Sequence, residues 1–92
     1  MKVVSTGKFE WMLEQLGVHD DKAFLLAQTQ IARLRKNPKD SRLEAHPLRK
    51  RLKGKLAFRV TDDVRVVFEW LGKNTVRLLA IGGHKKVYSK RR

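Results

Sequence analysis

Apolar and polar residues alternate along residues 54–70, where the chain has its clearest pattern. One set of alternating positions is apolar and comprises Leu56, Phe58, Val60, Val64, Val66, Phe68 and Trp70. Period-two alternation rich in β-branched and aromatic residues is typical of strands that bury one face. The two halves stay in phase if the connecting turn has three residues, Thr61 to Asp63. The segment therefore predicts a β-hairpin in which Val60 pairs with Val64.

The same register places Arg59 opposite Arg65, on the face of the hairpin away from the apolar set. Like charges directly opposite each other on two strands are destabilising. Two interpretations follow from the hairpin alone. Either the two arginines hold an anion, or both are ordinary solvated side chains on an open sheet face.

Before the hairpin, the spacing of apolar residues is helical. A short apolar strand over Lys2–Ser5 leads to a helix that Thr6 caps and Gly17 ends. A second helix begins at Asp20 and stops at Pro38, after a connection of about three residues, which predicts an antiparallel helix hairpin. The buried stripe of the second helix is predicted to comprise Phe24, Leu25, Leu26, Ala27, Ile31 and Leu34.

After the hairpin, residues 75–81 predict a third antiparallel strand, which Gly82 and Gly83 are expected to break. Residues 39–45 form a polar connection, and Leu48 and Leu52 are spaced as in a helical turn. The order of elements predicts an α+β fold, with a helix hairpin packed on one face of an antiparallel β-meander and the first strand at an edge. We expect residues 1–92 to form a single domain.

The charge is distributed unevenly along the chain, which has a net charge of +13. Residues 1–45 carry eight Lys/Arg and six Asp/Glu, whereas residues 46–92 carry fourteen and three. This asymmetry indicates that the second half meets a polyanion, RNA or DNA. The alternative is a highly soluble surface with no such partner.

Several classes of site are not expected. The chain has no cysteine, so disulfides and thiolate metal sites are excluded. His19, His46 and His84 are scattered, which makes a metal site improbable. No apolar run approaches the roughly 18 residues that span a bilayer, and no leader precedes a cleavage site, so we expect no membrane contact and a cytoplasmic location. The sequence lacks the common nucleotide-binding and hydrolase motifs, so we expect no small-molecule cofactor.

Lys50, Lys53 and Lys55 belong to the basic segment HPLRKRLKGK, residues 46–55. A run of like charge is usually a solvated face. Here the segment leads directly into the hairpin with Arg59 and Arg65, which favours contact with RNA.

The candidates for chemistry are mostly basic. They are Arg59, Arg65, His84, Lys85 and Tyr88, with Lys53 and His46 expected nearby. Metal-free RNA cleavage needs a group to accept the 2′-OH proton, cations around the phosphorane and an acid for the leaving 5′-oxygen. Histidine transfers protons near neutral pH, arginine binds phosphate with a planar fork, and tyrosine stacks on bases. The alternative for His84 is a plain surface histidine, and Asp62 and Asp63 are expected to serve the turn itself.

Three segments resemble the RelE/ParE superfamily of toxin–antitoxin toxins, and the RNA-cleaving RelE branch more than the gyrase-inhibiting ParE branch. They are KVVSTGKFEWMLEQL, HPLRKRLKGKLAFRVTDDVRVVFEW and LLAIGGHKKVY. The resemblance implies a small α+β toxin that enters the ribosomal A site, next to 16S rRNA, and cuts mRNA there without a metal ion or cofactor. It also implies a cognate antitoxin that wraps and neutralises the toxin.

The resemblance also implies roles for individual residues. Arg65 matches the family's phosphate-stabilising arginine, and Arg59 lies where some members have a catalytic basic residue. His84 matches a histidine that ends the last strand in several branches, and Tyr88 matches the aromatic residue that follows it. His46 and Asp63 correspond to active-site positions in a histidine-using branch.

The chain departs from the family pattern after this histidine, where Lys85 and Lys86 replace the usual acidic residues. Lys85 is a candidate for the cation that other members supply from arginine, and Lys86 extends the RNA contact. Which residue acts as the general base stays open. Two other functions stay open as well: a ParE-like inhibitor that binds DNA gyrase, and an inactive relative that binds RNA or an antitoxin.

Overall fold

In the computed structural model, residues 1–83 and Val87 are described. Within this part of the chain, five strands form one mixed sheet with the order β1-β5-β4-β3-β2. The strands are β1 Lys2–Ser5, β2 His46–Pro47, β3 Leu56–Arg59, β4 Val64–Trp70 and β5 Thr75–Gly83. β1 runs parallel to β5 at one edge, and the other neighbouring strands are antiparallel. The predicted α+β class, with the first strand at a sheet edge, is confirmed.

Two helices, α1 Gly7–His19 and α2 Asp21–Lys36, form the predicted antiparallel hairpin. Both begin with a side-chain cap. Thr6 Oγ1 accepts a hydrogen bond from Phe9 N at 3.0 Å, and Asp20 Oδ1 accepts one from Ala23 N at 3.0 Å. Each cap satisfies one of the backbone N–H groups that a helix leaves without an intrahelical partner. No helix in the described residues is long and apolar enough to cross a bilayer.

Gly17 lies inside α1, so the prediction that it ends the helix is wrong. A Cβ atom at this position would lie 3.0 Å from Phe24 Cδ1. Because glycine has no side chain, the Phe24 ring of α2 can pack closely against α1. This contact offsets the usual cost of glycine in a helix, about 1 kcal/mol. One residue, Asp20, joins the two helices, rather than the three expected.

The core lies between the helix hairpin and one face of the sheet. The apolar set of the β3–β4 hairpin is buried as predicted at Phe58, Val60, Val64, Val66 and Phe68. Trp70 is 40% exposed, so its predicted burial is wrong. The pairing of β3 with β4 stops at Phe68, so Trp70 has no pairing partner in β3.

The buried stripe of α2 is narrower than predicted. Leu25 and Leu26 are exposed, at 65% and 42%. The buried residues of this helix are Ala23, Ala27, Gln30, Ile31 and Leu34. They follow the spacing of a single helix face, so apolar residues on the flanks of this face remain in water.

The other face of the sheet is also partly covered. Ala57 and Val67, which are partners in the β3–β4 ladder, are 0% and 3% exposed. Neither belongs to the cluster of core residues under the helices. The centre of this sheet face is therefore not open to solvent.

Gly82 and Gly83 do not break the ladder, contrary to the prediction. Gly82 pairs with Arg65 and Gly83 with Val64, as the last two residues of β5. Strand pairing depends on the neighbouring strand more than on intrinsic propensity, and β4 extends far enough to hold both glycines.

The connection between α2 and β3 is more ordered than its sequence suggests. It contains a 3₁₀ turn at Ser41–Leu43, the two-residue strand β2 and a second 3₁₀ turn at Lys50–Leu52. The second turn agrees with the spacing of Leu48 and Leu52, whereas β2 was not predicted. Gly54 has a φ of +92°, in the left-handed region that favours glycine.

Asp40 caps the first of these turns. Its Oδ1 accepts hydrogen bonds from Arg42 N at 2.9 Å and Arg42 Nε at 3.0 Å, and Oδ2 accepts one from Nη2 at 2.8 Å. The hydrogen bonds from the Arg42 side chain and backbone lower the pKa of Asp40 from 3.8 to about 2. The ionised carboxylate therefore holds this turn in place.

A first prediction contrasts two leucines of α2. Leu34→Ala should lower the free energy of unfolding by about 2–5 kcal/mol, because it removes a fully buried side chain and leaves a cavity. Leu25→Ala, on the exposed flank, should change it by no more than about 0.5 kcal/mol. Urea unfolding followed by circular dichroism measures both. Equal losses would contradict the narrow stripe.

A second prediction concerns acid stability. The folded-state pKa of Asp40 is depressed, so its stabilising contribution is present above about pH 4 and is lost as pH falls towards 2. Asp40→Asn keeps an oxygen acceptor but removes the charge. The urea midpoints of the wild type and this variant should differ at pH 6 and converge below pH 2. A difference that is independent of pH would show that the charge is not responsible.

Candidate functional site

Arg59 and Arg65 lie opposite each other at the end of the β3–β4 hairpin, as the sequence predicts. Arg65 also pairs with Gly82 of β5. Paired residues on neighbouring strands point to the same face. Arg59, Arg65 and Gly82 therefore form one row on the face away from the helices, which we call the arginine row.

Arg59 is paired with an acidic residue of the turn. Its Nη2 donates to Asp62 Oδ1. The side chain of Arg59 is 32% exposed, whereas that of Asp62 is 99% exposed. An ion pair with so exposed a partner contributes little stability. A phosphate group that reaches Arg59 can therefore replace this carboxylate at small cost.

Arg65 is held by backbone oxygens of the turn. Its Nη1 donates to Thr61 O and, at 3.3 Å, to Val64 O. Thr61 Oγ1 in turn accepts hydrogen bonds from Asp63 N at 3.2 Å and Val64 N at 3.0 Å. The guanidinium is thus fixed against a turn that is itself cross-linked.

The two opposed arginines each have a separate oxygen partner, which reduces the cost of placing like charges together. The free chain therefore needs no external anion between them. The arrangement still presents two permanently charged, partly exposed forks side by side, and such forks bind phosphate in two-point contacts.

Asp63 extends in a different direction from Asp62. A Cβ atom at Gly83 would lie 2.9 Å from Asp63 Oδ2. The carboxylate of Asp63 therefore lies against the last residue of β5, and the chain continues directly into His84. Thr61 also contributes to the turn, because its Oγ1 accepts hydrogen bonds from Asp63 N and Val64 N.

His46 lies in the row next to the arginine row. It pairs with Ala57 of β3, two residues from Arg59, and successive rows on one face are about 7 Å apart. Its Nδ1 is 3.2 Å from Glu44 O. A carbonyl only accepts, so Nδ1 carries the proton in this contact and Nε2 is the acceptor of the neutral ring. The structure thus brings an exposed histidine to the face of the arginines.

Lys50, Lys53 and Lys55 are farther away. They precede β3, whereas Arg59 is its last residue. Arg59 comes four positions after Lys55 along extended chain, which corresponds to about 13 Å. Lys50 and Lys53 are exposed, and Lys50 has a φ of +57°, which is unusual for a residue with a side chain. These lysines are not part of the arginine row.

The remaining candidates, His84, Lys85, Lys86 and Tyr88, lie outside the described residues. The described part of the chain does fix where this segment begins. β5 ends at Gly83 opposite Val64, next to the turn with Thr61 and Asp63. In the described residues, no group of three or more His, Cys, Asp or Glu is placed to hold a metal ion.

Gln30 is a residue of the site that sequence reasoning missed. Its Nε2 donates to Arg59 O at 2.6 Å and to Arg42 O at 2.9 Å. It lies in the middle of the buried stripe of α2, between Ala27 and Leu34. An amide at a core position of a helix is a detectable signal, because buried polar groups require hydrogen-bond partners.

A shallow groove of about 500 Å³ lies between the helices, on the other side of the sheet from the arginine row. It is lined by Glu10, Trp11, Leu13, Glu14, Phe24 and Gln28. This lining carries two carboxylates and no cation. The groove is therefore not a candidate phosphate site.

No protein-family model matches the chain, and no curated protein sequence matches it. A YoeB/ParE toxin from Agrobacterium tumefaciens matches with a TM-score of 0.78 at 20% identity, covering 91% of this chain and 99% of the other.

Two further structures match over nearly their whole length. A copper-bound mutant toxin from Helicobacter pylori has a TM-score of 0.76 at 23% identity and covers 96% of this chain and 99% of its own. YafQ from E. coli has a TM-score of 0.73 at 17% identity, with 96% and 98% covered. At these identities the similarity establishes the fold, and the fold that the sequence resemblance implied is confirmed. In its described residues the chain has two helices packed on a five-stranded sheet, which is the fold of these toxin structures.

Proposed function

We propose that this chain is the toxin of a type II toxin–antitoxin pair and that it cleaves mRNA on the ribosome. The observation that carries this proposal is the arginine row, at the end of the hairpin where β5 leads into His84. Protein side chains would supply the cations and the proton carriers that the reaction needs.

The names of the similar structures support the toxin assignment. Two of them are called toxins, one from A. tumefaciens and one from H. pylori. A Staphylococcus aureus structure is a heterotetrameric YoeB–YefM toxin–antitoxin complex, and E. coli YafQ has been solved in complex with DinJ. By analogy, the partner of this chain is a cognate antitoxin.

The proposed reaction is an attack of the ribose 2′-oxygen on the adjacent phosphorus, with departure of the 5′-oxygen. Arg65 and Arg59 contact the non-bridging oxygens, whose negative charge increases in the phosphorane. Preorganised donors are most effective at this kind of task because they need not reorient during the reaction. Arg65 meets this condition, since the turn carbonyls already fix its guanidinium.

Proton transfer is assigned to histidine. His84 follows Gly83, the residue against which the Asp63 carboxylate lies, and is our first candidate for proton transfer. His46, one row from Arg59, is the second candidate for proton transfer. We assign Tyr88 to stacking on a base and Lys85 to a further phosphate contact.

The lysines at the other end of β3 fit contacts along the RNA rather than at the cleaved bond. Lys50, Lys53 and Lys55 all precede β3, and Lys55, which comes just before this strand, is about 13 Å of extended chain from Arg59. Together with Lys86, they would account for affinity to rRNA and mRNA in a half-chain that carries a net charge of +11. Because ribosomes are cytoplasmic, we expect the proposed activity in the cytoplasm.

Inhibition of DNA gyrase is the competing function, because the A. tumefaciens structure carries the ParE name beside YoeB. Two assays separate the functions. Primer extension on mRNA in stalled ribosomes should reveal new 5′ ends if the chain is an endonuclease. A gyrase supercoiling assay should then show no inhibition. The reverse pair of results would establish the gyrase inhibitor, and inactivity in both would indicate an inactive relative.

A third prediction tests the arginine row. Arg65→Ala should remove about 3 kcal/mol of transition-state stabilisation, a loss of about a hundredfold in cleavage rate, with the fold intact. Arg77→Ala is the matched control. Arg77 lies farther along β5 and its Nε donates to Glu69 Oε2 at 2.9 Å, away from the row. Primer extension measures the cleavage rate of both variants. An unchanged rate in Arg65→Ala would contradict the proposed role of Arg65.

A fourth prediction separates the adjacent aspartates. Asp63→Asn should slow cleavage about tenfold or more, because it removes the charge beside the start of the histidine segment. Asp62→Asn should leave the rate unchanged or raise it by no more than about fivefold, because it frees Arg59 from an exposed ion pair. If the two variants lose activity equally, the separate roles of the two carboxylates are wrong.

A further inference from the structure

Gln30 has the only buried polar side chain among the described residues, at 5% exposure. Its amide makes three hydrogen bonds. Nε2 donates to Arg59 O at 2.6 Å and to Arg42 O at 2.9 Å, and Oε1 accepts from Arg33 Nη1 at 2.8 Å.

These contacts determine how the amide is oriented. The two backbone oxygens can only accept, and the guanidinium of Arg33 can only donate. The reverse orientation would point the amide oxygen at both carbonyls and the NH₂ group at Arg33. One orientation therefore satisfies every group, and both N–H donors of the amide are used.

The position of Gln30 compensates for the short β2 strand. The pairing of β2 with β3 ends at His46 opposite Ala57, before it reaches Arg59. The chain preceding β2 turns away at Ser41–Leu43 instead of continuing along β3. Gln30 donates to a carbonyl in this turn and to the carbonyl of the last residue of β3. It thus fills the place of the missing strand pairs.

We propose that Gln30 is a positioning residue for Arg59 in the cleavage site, an inference that rests on the proposed function. The amide fixes the backbone of Arg59 relative to α2, and hence the point from which its side chain reaches the phosphate. Arg65 has its own support from the turn carbonyls. Arg59 has an exposed and replaceable partner in Asp62, so its position depends on the backbone.

The first experiment compares Gln30→Met with Val76→Ala in mRNA cleavage on ribosomes, below the melting temperature of every variant. Methionine has a similar length but no N–H donors. Val76 is fully buried at the other end of β5, opposite Trp70, so this control loses core packing without touching the row. We expect Gln30→Met to lower kcat about ten- to a hundredfold, since displacements near 1 Å cost this much. KM should change by less than about threefold. An equal kcat loss in Val76→Ala would overturn the proposal.

A double-mutant cycle distinguishes positioning of Arg59 from a purely structural role, because it measures whether the rate effect of the Gln30 change depends on Arg59. If Gln30 acts through Arg59, Gln30→Met should lower the rate less than about twofold in an Arg59→Ala background. The same fold-loss in both backgrounds would contradict positioning.

Gln30→Glu provides a second variant in case the methionine variant does not fold. It keeps the shape of the side chain and the contact with Arg33, but the carboxylate offers no donor to the two carbonyls. We expect the same loss of kcat and the same dependence on Arg59. Cleavage by Gln30→Glu at the wild-type rate would overturn the proposal.

NMR distinguishes failure of this inference from failure of the proposed function. The Nε–Hε resonances of Arg59 and Arg65 are recorded for each folded variant without RNA. The Arg59 resonance should shift in Gln30→Met or Gln30→Glu and stay in place in Val76→Ala, with Arg65 as the internal reference. An unshifted Arg59 resonance rejects positioning whether or not the wild type cleaves mRNA. A shift in a chain that cleaves no mRNA rejects only the proposed function.

Discussion

The register of the β3–β4 hairpin is the constraint on which both the core and the candidate site depend. Phe58 lies opposite Val66, and Arg59 lies opposite Arg65. Successive residues therefore point alternately towards the helices and towards the face that carries the arginine row. A slip of one strand by one residue would exchange its two faces. It would place an arginine in the core and the apolar side chains of that strand on the other face. Since a buried unpaired charge is far more costly than an exposed apolar group, the slipped hairpin is strongly disfavoured.

The parts of the structure that the sequence predicts well are those set by local interactions. The three-residue turn and the period-two alternation together define the Arg59–Arg65 pair. The caps at Thr6 and Asp20 use hydrogen bonds that span only three residues. For the same reason, the face that carries the two arginines was predictable, whereas their partners at Asp62 and the turn carbonyls were not, since these depend on side-chain conformations.

The parts that the sequence does not predict depend on distant neighbours. β2 has only two residues, too few for a periodic pattern, and exists because β3 offers it an edge. Gly82 and Gly83 continue β5 because β4 is there to pair with them. The bonds of Gln30 span 12 residues to Arg42 and 29 to Arg59, and no local signal names those acceptors. The segment that begins at His84 lies outside the described residues, so its roles rest on the resemblance.

Position 30 shows how the fold and the site are connected. A leucine there would bury more apolar surface and gain about 2 kcal/mol. It would also leave the carbonyls of Arg42 and Arg59 without this donor, at a cost of about 1–3 kcal/mol each when buried. These losses offset the gain in apolar burial, so an apolar residue at this position would bring little net stability. The same bonds attach the last residue of β3 to α2. Stability therefore does not compete with the placement of Arg59, because one side chain serves both.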